Sequence, residues 1–502
     1  MAGFTDLRGY MDLLRRENEL VEITAPVSTH LEIAEITDRV SKAAADKNKA
    51  LLFSNVQGPN GEQYDVPVLI NAMGSHNRMM LALGVETYEE IQERIRSFIK
   101  PDIPGNFWDK LAMLPKLAEL NNFLPRTFKG NAPCQEVVIT DPAQPMLDKI
   151  PVITCWPLDA GPFITYPVFF TRDPMTGERN AGMYRLQKYD NNTTGMHWHK
   201  HHDGSRIYEN AKRMGLDRIP VAAALGCAPH ITYSATAPLP PGIDEMIFAG
   251  FLHGKPVQMV KCKTVDLEVP ADAELVIEGY VLIDELRREG PFGDHTGFYS
   301  LADDFPVLHV TAVTHRRNPV YQTTIVGKPP QEDCYLGKAT ERIFLPLLKL
   351  FIPEIRDMNL PWEGVFHNCV ILSIDKRYPG HAKKVMSSVW GFGQMMFSKY
   401  VIVVDSHVDV QDLSQVAFHV FNNTDPKRDM MFAEGPMDIL DHATPMWAYG
   451  SKVGIDATKK WPTEGFTREW PDEIEMDADT RAKVDTRWQE YFPGVKTAVT
   501  GY

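Results

Sequence analysis

The chain has 502 residues, 44% of them hydrophobic and 24% charged. That balance argues against collagen, long coiled coil and extended disorder, and leaves room for two to four domains at roughly 100–200 residues each. Its 52 Lys and Arg against 66 Asp and Glu give a net charge of −14, which argues against a general nucleic-acid binder, because phosphate contacts need clustered cations.

Leu7, Tyr10, Met11 and Leu14 recur at helical spacing behind Thr5, which, followed by Asp6-Leu7-Arg8, reads as a cap. A second helix carries Leu31, Ile33, Ile36 and Val40. Short strands are predicted at 50–53 and 66–70, a helix at 87–99, and another at 107–124 interrupted by Pro115. Residues 1–125 thus read as a small α/β part. From about 130, strand-like segments dominate: 166–171, 180–189, 219–227, 256–264, 273–282, 305–314 and 320–326. Turn residues separate them, so a barrel or sandwich is expected, interrupted by one helix near 243–254. Beyond 336, helix at 341–350 and strands at 365–374 and 400–405 predict a C-terminal α/β part. The last 40 residues read as a polar, surface-wrapping tail.

No apolar run approaches the ~20 residues of a membrane helix. The first residues, Met1 to Asp6, lack the basic start and apolar stretch of a secretory signal. The closest two of the six cysteines, Cys134 and Cys155, are 21 apart. No CxxC pair exists, and reduced, mostly buried thiols in a cytoplasmic protein are expected.

Four constellations could carry chemistry. Arg185 is predicted on a strand, where its guanidinium is a rigid fork for a carboxylate or phosphate, although a solvated outer-face Arg has the same spacing. Glu289-Gly290-Pro291-Phe292-Gly293-Asp294 flanks a tight turn with two carboxylates. Paired carboxyls titrate together, and one can stay protonated as a general acid; an acidic surface turn is the plain alternative. The third is His197-Trp198-His199-Lys200-His201-His202-Asp203. It could bind zinc, as in a zinc-dependent hydrolase, or line a pocket for a flat phosphorylated cofactor. Glu245 opens the predicted 243–254 helix, where a solvated Glu favoured by the helix dipole is the plain reading. GxGxxG, Walker A and GxSxG motifs are missing.

Taken together, the chain resembles the UbiD family of decarboxylases. The resemblance spans nearly the whole sequence. It rests on Ala132-Pro133-Cys134-Gln135, Ile150-Pro151-Val152-Ile153-Thr154-Cys155-Trp156-Pro157, Asn180 to Arg185, Leu267-Glu268-Val269-Pro270-Ala271, Glu289 to Gly297, Gly380-His381-Ala382-Lys383 and Gly454-Ile455-Asp456-Ala457-Thr458. It implies a mixed α+β fold: a central split β-barrel (126–330) of the FMN-binding type, an N-terminal α/β part (1–125) and a C-terminal α/β domain with tail (331–502). It also implies prenylated FMN, supplied by a separate flavin prenyltransferase and held through Mn2+ or Mg2+ with K+ nearby, in a homo-oligomer, dimer or hexamer.

By the same resemblance, Asn180 and Glu245 match metal ligands, which replaces the plain reading of Glu245. Met183, Tyr184, Arg185, His197, Trp198, His199, His202 and Asp203 match cofactor-contacting positions. The third metal ligand is left open among His201, His202 and Asp203. Arg185, Glu289 and Asp294 match the catalytic network, with Asp294 as proton donor. Some members carry Glu at the position of Asp294, and Asp there resembles the quinone-biosynthesis branch.

The implied reaction is reversible decarboxylation of an aromatic acid, with 4-hydroxy-3-polyprenylbenzoate as the branch substrate. Carboxylation or decarboxylation in aromatic degradation is the alternative. A polyprenylated substrate would add peripheral membrane contact to a cytoplasmic enzyme. A non-catalytic subunit is disfavoured by the intact Arg185, Glu289 and Asp294.

Overall fold

The computed structural model describes residues 3–99, 121–198, 203–239 and 242–494. They form a mixed α/β fold in two compact units, Met1–Leu347 and Leu348–Tyr502.

The first unit opens with the helix Leu7–Arg16, which buries Leu7, Tyr10, Met11 and Leu14 as their spacing requires. Its cap is Asp6 rather than Thr5: the Asp6 carboxylate accepts from Gly9 N at 2.9 Å, satisfying a donor the helix itself leaves orphaned. Leu20–Ile23 runs parallel to Ala50–Phe53, which pairs antiparallel with Val68–Ile70. Ala50 and Leu52 join one core cluster and Leu51 and Phe53 another. Both faces of this strand are therefore covered, which is why it reads as a continuous apolar run. The fourth strand of the sheet, Tyr321–Gln322, comes from the far end of the middle segment and pairs with Val68–Ile70. The helix expected at 107–124 falls largely outside the described residues.

Seven strands of the middle segment form one antiparallel sheet. Its path runs Arg179–Met183, Val168–Arg172, Arg218–Leu225, Leu275–Glu289, Asp303–His315 and Thr193–Gly195, with Val137–Ile139 also paired to Asp303–His315. No pairing joins the two ends of that path among the described residues, so the sheet is open and forms no closed barrel. The strand expected at 273–282 continues to Glu289, and the continuation delivers a site carboxylate. Its register shifts at Gly279, where an added Cβ would lie 2.1 Å from the His309 carbonyl oxygen. Only glycine lets the two long strands approach there.

The strand expected at 180–189 is broken into Arg179–Met183 and Leu186–Gln187, and Tyr184 and Arg185 occupy the break. The helix expected at 243–254 is Glu245–His253, capped by the Asp244 carboxylate on Met246 N at 2.7 Å. Asp203–Arg213 is a helix with no sequence expectation behind it.

In the second unit, Cys369–Ile374, Tyr400–Asp405 and Tyr449–Asp456 lie parallel. Ile355–Asn359 and Met430–Pro436 flank them antiparallel. The helices His381–Trp390 and Leu413–Asn423 follow the first two parallel strands, as parallel crossovers require. The tail contains the helix Ala478–Tyr491, none of whose residues is buried. All six cysteines are free; Cys134, Cys155, Cys227 and Cys334 are buried. Among the described residues, no helix is long and apolar enough to cross a membrane.

Candidate active site

Arg185 leaves the broken strand and turns inward, its side chain only 8% exposed, which sets aside the solvated outer-face reading. Its Nε donates to Glu289 Oε1 at 2.9 Å and its Nη2 to Glu289 Oε2 at 3.2 Å. Nη1 donates to Asp294 Oδ2, and Nη2 also donates to Ser300 Oγ at 3.0 Å. The guanidinium lies over the Phe292 ring, with Cζ 4.5 Å from its centroid. Two carboxylates on one cation, with an aromatic face beneath, account for its charge in a dry site.

The turn between the carboxylates is held from several sides. Gly290 has φ +82°, and its N–H donates to Gln187 Oε1 at 2.8 Å. Gly293 N donates to Asp159 Oδ1 at 2.7 Å, and the other Asp159 oxygen accepts from Trp156 N at 2.9 Å. The Trp156 indole packs where a Gly293 side chain would be: an added Cβ would lie 2.1 Å from Trp156 Cδ1. Thus the glycines and Pro291 aim Glu289 and Asp294 at one guanidinium, as the turn composition suggests.

Burial would raise the pKa of Glu289, but the His197 hydrogen bond and the Arg185 charge outweigh it and hold the carboxyl down at about 2. Burial would raise Asp294 too, and Arg185 and His295 hold it well below the usual carboxylate range. The expected pair with one protonated member is therefore not the arrangement here. The guanidinium between the carboxyls stabilises both anions, where unscreened carboxyls would repel and share a proton. His197 Nδ1 is 3.0 Å from Glu289 Oε2, so Nδ1 carries the proton. Burial and Arg185 lower the His197 pKa against the pull of Glu289, which keeps the imidazole neutral.

Asn180 and Glu245 meet across the backbone: Glu245 Oε2 accepts from Ala181 N at 3.0 Å. Asn180 is buried and its Nδ2 has no hydrogen-bond partner among the described residues. Half-buried Met183 packs on the N-terminal core cluster. Tyr184 OH accepts from Gly204 N at 3.3 Å, and its ring covers Gly182. Trp198 is buried edge-to-face on Phe169, with its indole N–H unpartnered among the described residues. His199, His201 and His202 lie outside the described residues, and Asp203 is described only as the first residue of its helix.

Ser300, Phe292, His295 and Asp159 belong to the site without having been singled out from sequence. His295 stands in the turn motif itself, and its N–H and ring both face Asp294 Oδ1. Asp333 is a further omission. Burial pushes its carboxyl up to about 6, with His295 lowering it and Asp294 raising it. Nothing was expected of that position, because the helix expected at 341–350 in fact begins at Glu332.

Three family models match the sequence. The 3-octaprenyl-4-hydroxybenzoate carboxy-lyase Rift-related domain covers residues 126–329, the C-terminal domain of that carboxy-lyase 334–457, and its N-terminal domain 11–96. A protein of Archaeoglobus fulgidus is 50% identical over 489 residues, 97% of this chain and 98% of the relative. The UbiD-class enzyme HmfF from Pelotomaculum thermopropionicum, in an evolved dimeric form in complex with prFMN, superposes with a TM-score of 0.76 at 28% identity. That match covers 95% of this chain and 98% of that one. Vanillic acid decarboxylase of Sedimentibacter hydroxybenzoicus in closed form gives a TM-score of 0.83 at 28% identity, over 98% and 100% of the two chains. The zinc-hydrolase alternative is set aside: the matched families are carboxy-lyases, and His197 is engaged with Glu289 as part of the Arg185 network.

Proposed function

The chain belongs to the UbiD family of carboxy-lyases, and from that premise we propose that it removes CO2 reversibly from an aromatic acid with prenylated FMN. The observation that carries this reading is the buried Arg185 fork, held on one edge by Glu289 and on the other by Asp294.

The residues fit the cofactor. Asn180 and Glu245 are hard oxygen donors suited to Mn2+ or Mg2+, with K+ as a companion ion. The unpartnered Asn180 amide and Trp198 indole are the kind of buried polar groups a bound ligand satisfies. Met183, Tyr184, Arg185, His197 and Trp198 would line the ring system, joined by His199, His202 and Asp203, in the open seven-stranded sheet read as a split barrel. Parts 1–125, 126–330 and 331–502 are the proposed domains. Bound there, prenylated FMN would supply the electron sink for an aryl carbanion that no side chain provides.

The chain's own residues do the rest. Arg185 would take the substrate carboxylate on its Nη1 edge. Asp294 would then lose its cation and gain an anionic neighbour, and both changes raise its pKa. It would take up a proton and return it to the ring carbon once CO2 has left. Glu289, buttressed by His197, would keep the other edge of Arg185 in place. Asp333 is coupled to that proton through charge alone: Asp294 raises its carboxyl and His295 lowers it.

A polyprenylated 4-hydroxybenzoate in quinone biosynthesis is the proposed substrate, in the cytoplasm, with a flavin prenyltransferase supplying cofactor and the chain assembled as a dimer or hexamer. A second reading, a carboxylase or decarboxylase of aromatic degradation, is favoured by the vanillic acid decarboxylase likeness. Protein co-expressed with a flavin prenyltransferase should contain prenylated flavin by mass and absorbance, and a substrate panel with CO2 detection separates the two readings. Asp294→Asn should lose at least about 10²-fold in turnover while retaining flavin, the scale of a lost acid–base group, and Arg185→Ala should lose turnover per bound flavin at least as far. Full activity in both flavin-loaded variants would overturn the assignment.

A further inference from the structure

Among the described residues, one group of metal-binding side chains brings its ligand atoms within 4.8 Å of one another: His407, His419 and Glu473. They come from three places in the second unit. His407 follows the strand Tyr400–Asp405, His419 is on the helix Leu413–Asn423, and Glu473 is on the segment after the last strand. The family models end at residue 457, so Glu473 lies beyond them.

Two of the three ligand–ligand edges have the spacing of zinc ligands. His407 Nε2 is 3.2 Å and His419 Nδ1 3.7 Å from Glu473 Oε1. Bonds of ~2.0–2.1 Å in a tetrahedron separate neighbouring ligand atoms by about 3.4 Å, and the two observed edges bracket that value. The imidazoles stand nearly perpendicular at 76°, so each can aim a lone pair at a common centre without stacking.

The group borders a cleft of about 480 Å³. Asp375, Asp405, Asp472 and Glu475 line it together with Lys376 and Lys459; Lys376 is paired with Glu464 at 2.6 Å, Asp375 with Arg356 and Arg377, and Glu475 with Arg481, which leaves Asp405 and Asp472 as the acidic lining nearest the group. Asn423 Nδ2, 3.3 Å from His419 Nδ1, would have to turn aside.

We propose that His407, His419 and Glu473 form a zinc-class divalent-metal site that staples the segment around residue 473 to the strand end and helix that carry His407 and His419. Two ligands sit on or beside the sheet-and-helix layer and the third on the segment, so binding ties the segment down. A fourth coordination position would face the cleft, as sites with three protein ligands allow.

The test uses the full chain carrying Glu245→Gln, which removes a proposed ligand of the cofactor metal and separates this site from that one. Chelator-stripped protein is titrated with Zn2+ by calorimetry, and with Co2+ for the absorption of tetrahedral cobalt. One zinc per chain should bind. Adding His407→Gln or Glu473→Gln should weaken it at least about tenfold, the low end of what even a ligand's supporting partners contribute. Both residues are exposed, so the variants should fold; buried His419 is left intact. Zinc should also slow tryptic cleavage after exposed Arg468, except when Glu473 is replaced. Zinc affinity unmoved by both substitutions, no zinc bound at all, or cleavage after Arg468 indifferent to zinc would each overturn the proposal.

Discussion

Replacing Glu289 by Gln keeps the shape of the side chain and removes its charge. In the native arrangement Oε2 accepts from both Arg185 Nη2 and His197 Nδ1, and Oε1 accepts from Arg185 Nε. Whichever way the amide is turned, its NH2 faces at least one donor. A buried donor left unpaired costs about 1–3 kcal/mol. The pKa gives an independent figure: the fall of the carboxyl from 4.5 to about 2 on folding corresponds to about 3 kcal/mol. Glu289→Gln should therefore destabilise the first unit by about 3 kcal/mol at neutral pH, with Asp294 left to hold Arg185.

The pH dependence has a definite sign. A carboxyl whose pKa falls on folding stabilises fully above its unfolded value and loses that contribution as pH drops through the folded value. The gap in calorimetric Tm between wild type and Glu289→Gln should be constant from about pH 5 to 8 and shrink only below about 4.5. Equal Tm values at pH 7, or a gap that widens toward pH 4, would refute the charge-network account of this turn.

Gly293→Ala places a Cβ 2.1 Å from Trp156 Cδ1, so the indole or the turn must shift. Overpacking of this kind costs about 1–3 kcal/mol, and a lower Tm should accompany a changed Trp fluorescence spectrum and reduced turnover. Asn180→Ala removes a proposed metal ligand without touching Arg185. It should weaken Mn2+ retention and flavin retention together by at least about tenfold, measured by metal analysis and absorbance. Loss of one without the other would separate the metal from the flavin. Glu274 is fully buried and accepts from Arg8 and Arg316, each at 2.9 Å, and from Val320 N; Arg8 is partly exposed and Arg316 keeps Asp6, so Glu274→Ala should cost about 1–3 kcal/mol in thermal unfolding and leave flavin content per folded chain unchanged.

The sequence by itself determined the elements whose side chains show one period. The buried face of Leu7–Arg16, the strand Ala50–Phe53 and the helix Glu245–His253 were readable because local spacing decides them. The turn from Glu289 to Asp294 was readable as well, since two glycines and a proline restrict the backbone wherever it is placed. Tertiary structure decided what that turn does. The ionised state of both carboxyls depends on Arg185, 104 and 109 residues away, whose orientation depends on a strand break that no local pattern announces. The same holds for Tyr321–Gln322, which looks like the end of the hairpin series and is drawn into the N-terminal sheet by the parallel edge of Val68–Ile70. It holds too for the meeting of His407 and His419 with Glu473. A pKa, a sheet partner and a coordination sphere are each set by distance in space, and along the chain those distances are invisible until the backbone has closed its long-range pairings.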